Sequence, residues 1–223
     1  GSAGHAVSQD LINWEVLPDA LRPDPDGNAW DGKTTWTGSI VQAKGQWVMF
    51  YTGSSEQEKG LVQRVGCATS PDLLHWTRHP ANPMIEADPT WYELLDLDVW
   101  FDQAWRDPWV FQHPQTGDWH ALITARAKDG PSEERGVIAH AVAADLVNWT
   151  VREPLVPPGD FGYMEVPQLT EINGRYYLLF SAPARFNAAS RQARLGTPPE
   201  GGTHYLMADD PLGPYRNDAD KFL

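Results

Sequence analysis

The sequence predicts an all-β protein made of repeated four-stranded antiparallel sheets, the blades of a β-propeller. Two observations predict it. The first is a recurring segment: Ser8–Pro18 reads S-Q-D-L-I-N-W-E-V-L-P, Ser70–Pro80 reads S-P-D-L-L-H-W-T-R-H-P, and Ala144–Pro154 reads A-D-L-V-N-W-T-V-R-E-P. All three share D-L-x-x-W, and each follows a small or apolar run. A fainter copy, His204–Tyr215, ends in Tyr instead of Trp. Self-similarity at intervals of roughly 60–70 residues signals a repeated supersecondary unit. The second observation is the content between copies, where short aromatic and β-branched runs alternate with turn signals and little reads as helix.

Each element follows from its own residues. Trp36–Ala43 reads as a strand, Lys44-Gly45 as a turn, and Gln46–Thr52 (Q-W-V-M-F-Y-T) as a second strand. Gln63–Thr69 is a third, and D-L-x-x-W leads into a fourth near Thr77–His79. The order recurs with Trp109–His113, a turn over Gln115–Asp118, Trp119–Ala125 and Val137–Val142 before the next D-L-x-x-W. It recurs again with Val166–Ile172, Asn173-Gly174, Arg175–Ser181 and His204–Ala208. Asn-Gly between two apolar runs is a strong hairpin signal. In D-L-x-x-W, Asp can cap turn amides and Trp can pack between sheets, so we read the motif as scaffold rather than site. That reading expects Trp14, Trp76 and Trp149 to be mostly buried at equivalent places.

The chain is expected to be one partial propeller domain over residues 1–223. Its blades fall near 1–30 (incomplete), 31–85, 104–157 and 161–223, since Gly4-His5-Ala6-Val7 matches the third strand of the later units. Net charge is −13 with no basic stripe, which disfavours nucleic acid and anionic membrane as partners. The single cysteine, Cys67, rules out an internal disulfide and a cysteine-based zinc site. No run reaches membrane-spanning length, and the compartment stays open between secreted and cytoplasmic. Asn148-Trp149-Thr150 fits a glycosylation sequon but lies in the repeat, and is read as coincidence.

Chemistry is sought where the repeat breaks. The innermost strands start with Trp36-Thr37-Gly38-Ser39, Trp105-Arg106-Asp107-Pro108 and Met164-Glu165-Val166-Pro167. A scaffold repeats and a site differentiates. Asp107 and Glu165 sit at equivalent places in successive units, and two converging carboxyl groups are the minimal equipment of a glycosidase. Each acid read alone is a turn or strand-edge residue; together they suggest a site.

Here the sequence resembles glycoside hydrolase family 32, the invertases, inulinases, levanases and other β-fructosidases. Gly4–Leu21 resembles G-H-A-x-S-x-D-L-x-x-W-x-x-L-P-x-A-L, Trp36–Ser39 its F-S-G-S, Arg106-Asp107-Pro108 its R-D-P, and Glu165-Val166-Pro167 its E-C-P. The resemblance implies a five-bladed propeller, a carbohydrate (fructoside) ligand and a retaining mechanism needing no cofactor or metal. It implies Glu165 as acid/base and Asp107 as transition-state stabiliser. Arg106 would support Asp107 or reach the sugar, and Trp36, Thr37 and Ser39 would line the pocket wall. The family's nucleophile motif, W-x-N-D-P-N-G, has no counterpart here. Asp24-Pro25-Asp26-Gly27-Asn28 resembles it superficially but follows the wrong strand and reads as a turn. The nucleophile strand is therefore expected from other parts of the polypeptide or from a second chain. Val166 replaces the family's Cys, and the stretch Tyr92–Gln103 before R-D-P is longer than usual. The alternatives are a non-catalytic carbohydrate-binding propeller, a family 43-like arabinan or xylan glycosidase, and an interaction scaffold.

Overall fold

The computed structural model describes residues 1–196 and 198–216. It contains four antiparallel sheets in chain order. Sheet 1 is β1 (Ala3–Val7) with β2 (Glu15–Leu21). Sheet 2 is a meander of β3 (Thr34–Ala43), β4 (Gln46–Ser54), β5 (Gln63–Ser70) and β6 (Thr77–Arg78). Sheet 3 repeats it with β7 (Trp105–Gln112), β8 (Trp119–Arg126), β9 (Gly136–Ala143) and β10 (Thr150–Val156). Sheet 4 has β11 (Glu165–Ile172), β12 (Arg175–Ala182) and β13 (Gly202–Ala208), extended by a bridge between Met207 and Arg216. The end expected for the last blade, 217–223, lies outside the described residues. The first strands β3, β7 and β11 touch in succession, so the sheets fan outward from them as propeller blades do. The described sheets form an open fan and do not close into a ring.

The core lies between the sheets, and strand alternation builds it. Along β8, Ala121 and Ile123 enter the cluster shared with sheet 2, while Leu122 enters the cluster shared with sheet 4. Along β4, Val48 and Phe50 face sheet 3, while Met49 and Tyr51 pack with Leu21 of sheet 1. Side chains alternate faces with period two, so a strand covered on both faces reads as a continuous apolar run. That is why Q-W-V-M-F-Y-T carries no polar alternation.

The hairpins are tight. Lys44-Gly45 and Asn173-Gly174 all take positive φ (51° and 74°, 53° and 76°), the type I′ pattern whose twist matches the flanking strands. The one α-helix of the described residues was not read from the sequence. A short helix, α1 (Ala189–Leu195), fills the β12–β13 connection and ends at Gly196 in the left-handed region (φ 66°). Glycine there avoids the Cβ clash at a helix C-terminus.

The three D-L-x-x-W segments are one turn made three times. Asp10, Asp72 and Asp145 each accept hydrogen bonds through Oδ1 from the amides two and three residues on, at 2.8–3.0 Å. Leu11, Leu73 and Leu146 each take positive φ. Trp14, Trp76 and Trp149 each donate Nε1–H back to that leucine's carbonyl at 3.2, 3.0 and 3.1 Å. Bonds from the turn amides hold the Asp145 carboxyl down to about 2 and lower that of Asp10, while the His75 ring and then the turn amides lower that of Asp72. In the faint copy, Asp210 accepts from the Leu212 amide and Tyr215 donates its hydroxyl to the Pro211 carbonyl, so tyrosine replaces the indole. The Asn148 amide donates to Asp145, which agrees with a structural reading of the sequon.

The expectation of burial needs correction. Trp149 and Trp76 are half-buried, Trp149 meeting Phe50 of the neighbouring sheet edge-on at 5.5 Å, but Trp14 is 55% exposed. The turn sets the indole's direction, while burial depends on a packed sheet beyond it. Trp149→Ala is therefore expected to cost about 2–4 kcal/mol in urea unfolding. Trp14→Ala should stay within about 1 kcal/mol.

Sheets 3 and 4 also enclose a histidine pair. His120 Nδ1 and His140 Nε2 lie 2.8 Å apart with the rings stacked. His113, Asp118 and Asp210 face His120, and Arg152 faces His140. Burial, then His120 and Arg152, hold the His140 imidazole down to about 4 from its usual 6.5. The folded chain thus binds fewer protons than the unfolded chain between these values. Stability should fall as pH drops from about 6.5 towards 4, by roughly 1–3 kcal/mol from this residue. Unfolding of wild type and His140→Phe across that range should show a shallower pH slope in the variant.

Candidate active site

The three inner strands carry the same defect. Pairing slips between Thr35 and Gly38 on β3, between Arg106 and Trp109 on β7, and between Glu165 and Gln168 on β11. Each slip is a β-bulge, which re-aims side chains at the start of the strand. The register makes Arg106 the counterpart of Glu165, and Asp107 the counterpart of Val166. The two acids are therefore one step apart rather than equivalent, a correction to the sequence reading. The bulge residues Asp107 (φ 58°) and Val166 (φ 52°) both lie in the left-handed region and both precede proline. That conformation is unfavourable for a β-branched residue and for any residue before proline, at about 1–3 kcal/mol each.

Specific bonds hold the strain. The Asp107 amide donates to Thr52 Oγ1 at 2.9 Å, and Thr52 donates to the Thr37 carbonyl. Asp107 Oδ2 accepts from Thr124 Oγ1 at 3.2 Å and from the Val166 amide at 3.1 Å. One strained residue thus fixes the other. Both bonds fall on Oδ2, so Oδ1 carries no bond among the described residues.

Arg106 joins the acids. Its Nη2 donates to Glu165 Oε1 at 3.0 Å, and its Nε lies 3.8 Å from Asp107 Oδ2. Its Nη1 donates to Gln63 Oε1 at 3.0 Å and to Asp102 Oδ2 at 3.2 Å. Tyr163 stacks under the guanidinium, 5.0 Å from ring centre to Cζ. Burial and then the Glu165 charge push the Tyr163 phenol upward. Asp107 and Arg106 are buried, while the Glu165 side chain is 29% exposed, so its second oxygen is open to an incoming molecule.

The remaining candidates lie along β3. Trp36 (40% exposed) and Thr37 are exposed, and Ser39 is half-buried. They line a hollow of about 370 Å³ with Ser2, Ala3 and the Met49–Tyr51 run. Ser39 Oγ accepts the Val110 amide at 2.9 Å, tying β3 to β7. Neither Asp107 nor Glu165 lines that hollow. Asp24–Asn28 is a turn, with Asp24 and Asp26 accepting nearby amides. Gln63, Asp102 and Tyr163 were missed in the sequence. Only the length of the stretch before R-D-P pointed towards Asp102.

The sequence profile described as the glycosyl hydrolases family 32 N-terminal domain matches residues 2–205. The chain belongs to this family. The chain is 33% identical over 150 residues to the beta-fructofuranosidase insoluble isoenzyme CWINV5 of Arabidopsis thaliana, covering 66% of this chain and 23% of that protein. It is 35% identical over 157 residues to the 6(G)-fructosyltransferase of Asparagus officinalis, covering 67% and 23%. The inulosucrase of Halalkalicoccus jeotgali bound to kestose superposes with a TM-score of 0.74 at 22% identity, covering 96% of this chain and 56% of that one. That likeness establishes the propeller fold. The chain spans less than a quarter of the length of these two curated relatives.

Removing Arg106 leaves buried carboxylates without their cation, which costs about 3–5 kcal/mol in comparable pairs. Arg106→Met should show that loss in urea unfolding. Arg106→Lys, which keeps the charge but not the planar fork, should fall in between.

Proposed function

We propose that this chain is the acid-bearing part of a retaining β-fructosidase propeller. Glu165 protonates the bridging oxygen as a carboxylate nucleophile attacks the anomeric carbon, giving a fructosyl-enzyme. The Glu165 carboxylate then takes a proton from water, which attacks that carbon and releases fructose and the nucleophile. Asp107 accepts hydrogen bonds from sugar hydroxyls that tighten in the transition state, through the oxygen its protein partners leave uncommitted. Arg106 is a positioning residue that sets the two acids relative to each other. Trp36, Thr37 and Ser39 form the adjoining wall.

The observation that carries this reading is the single guanidinium between Asp107 and Glu165 on neighbouring inner strands, in a chain of this family. The nucleophile has no candidate in the sequence and comes from another segment or a second chain. A second reading, a carbohydrate-binding propeller without turnover, rests on that same lack of an N-D-P-N-G motif.

Cleavage of sucrose, inulin and levan, by this chain and by a version extended with an N-D-P-N-G-bearing strand, tests both. Activity should appear only in the extended protein. It should fall by about 10² or more in Glu165→Gln, the contribution of a general acid. Sugar binding without turnover in both forms would favour the second reading. Turnover insensitive to Glu165→Gln would remove the acid/base assignment.

A further inference from the structure

The stretch between β6 and β7 delivers two carboxylates to two arginines. At its start, Glu93 accepts from Arg126 Nε at 2.7 Å and from Arg135 Nη1 at 2.6 Å. At its end, Asp102 Oδ2 accepts from Arg106 Nη1 at 3.2 Å and from Gln63 Nε2 at 2.8 Å. The backbone holds that end in place. The Gln103 amide donates to the Leu61 carbonyl at 2.8 Å, and Gln103 Oε1 accepts the Leu95 amide at 3.1 Å. Asp102 Oδ1 is buried and accepts no hydrogen bond among the described residues. The charge of Asp102 is thus met only by Arg106 and Gln63.

Arg106 therefore serves three acids. Nη2 donates to Glu165 at 3.0 Å, Nη1 donates to Asp102, and Nε lies 3.8 Å from Asp107. Asp107 is already committed to Thr124 and to the Val166 amide. Asp102 holds no part of either bulge and lies outside the inner strands. The charged and titratable groups around Arg106 are these three acids, Tyr163 under its face, Arg185 beside Tyr163, and Arg126 on β8, whose charge Glu93 meets. The start of β3, Trp36 to Ser39, adds no charge.

Electrostatics says what this sharing does. A cation at hydrogen-bond distance favours the ionised form of a carboxyl group, and a neighbouring carboxylate favours the protonated form. Opposite an undivided guanidinium, Glu165 would be held as carboxylate, the wrong state for protonating a leaving oxygen. Resting on Glu165 as the acid, we infer that Asp102 is a positioning residue that shares Arg106 with Glu165, so that the acid keeps its proton to higher pH than it would facing Arg106 alone. Asp102 then sets the alkaline limit of turnover without taking part in bond breaking. The anchoring of its segment on Arg126 and Leu61 keeps that charge at a fixed distance from the acid.

The test follows the Glu165 carboxyl through its titration by NMR of this chain with carboxyl-labelled glutamate, Glu165→Gln identifying the signal. Asp102→Asn keeps an oxygen for Gln63 and Arg106 but removes the charge. It should move the Glu165 midpoint to lower pH by about one unit, the low end of what a neighbouring charge produces. Asp102→Glu, which restores the charge, should recover most of that shift. In the extended, N-D-P-N-G-bearing protein, the alkaline limb of sucrose cleavage should follow the same order. If Asp102→Asn lowers stability in urea but leaves the Glu165 midpoint where it was, or raises it, Asp102 is merely structural and the inference is wrong, while loss of turnover in Glu165→Gln keeps the acid/base reading. If the midpoint moves and the alkaline limb does not, Glu165 is not the acid, and the reading falls together with the inference that rests on it.

Discussion

One guanidinium organises the centre of this molecule. Arg106 receives Gln63 from β5, Asp102 from the segment before β7, and Glu165 from β11, and it stands beside Asp107 on its own strand. Three carboxylates and one cation gathered between buried strands make an arrangement that is costly to half-satisfy. A planar fork with five donors can meet partners arriving from separate sheets in a way an ammonium cannot. The mutual spacing of sheets 2, 3 and 4 is read out at this side chain.

Strain supplies the second half of the construction. A regular strand would send Arg106 and Asp107 to opposite faces. The bulge, with Asp107 in the left-handed region, lets both serve one place. The same device on β11 lets the Val166 amide turn towards Asp107. Backbone energy stored in this way persists only where surrounding bonds over-determine it. Thr52 and Thr124 do so here from the second strands of their sheets. These threonines are scaffold residues whose hydroxyls matter more than their β-propensity.

The fold was largely legible because it is local. Hairpins announce themselves through Lys44-Gly45 and Asn173-Gly174, and strands covered on both faces read as unbroken apolar runs. The D-L-x-x-W turn repeats its Asp, Leu and Trp because each has a backbone task, and that repetition marked it as scaffold. Burial of Trp14 was misjudged because a turn motif specifies a direction and says nothing of what waits there. Within the site, Asp107 and Glu165 were found because they broke a repeat. Gln63 was not, since the third strands were read only as scaffold; Asp102 and Tyr163 were not, since each lies where no repeat exists to be broken. The one-step offset between the acids already stands in the sequence, in R-D-P against E-V-P aligned on proline, and reading both acids simply as strand starts obscured it. The positive φ at the valine is what no propensity predicts. Helix α1 was missed because seven residues between two strands leave too short a pattern to show a period.

The meander topology of these sheets has a consequence in time. Within each sheet strands pair with their sequence neighbours, so most hairpins close a short loop and lose little chain entropy in forming, the β12–β13 connection with α1 being the long exception. Sheets can thus assemble one after another as the chain becomes available. The bonds at Arg106 are different: they span 43 residues to Gln63 and 59 to Glu165. They exist only where the three sheets are docked, so they are lost when neighbouring sheets part. A sugar held there binds only the docked arrangement. By mass action it would then fasten blade to blade, and occupancy would be felt along the whole fan rather than at the cleft alone.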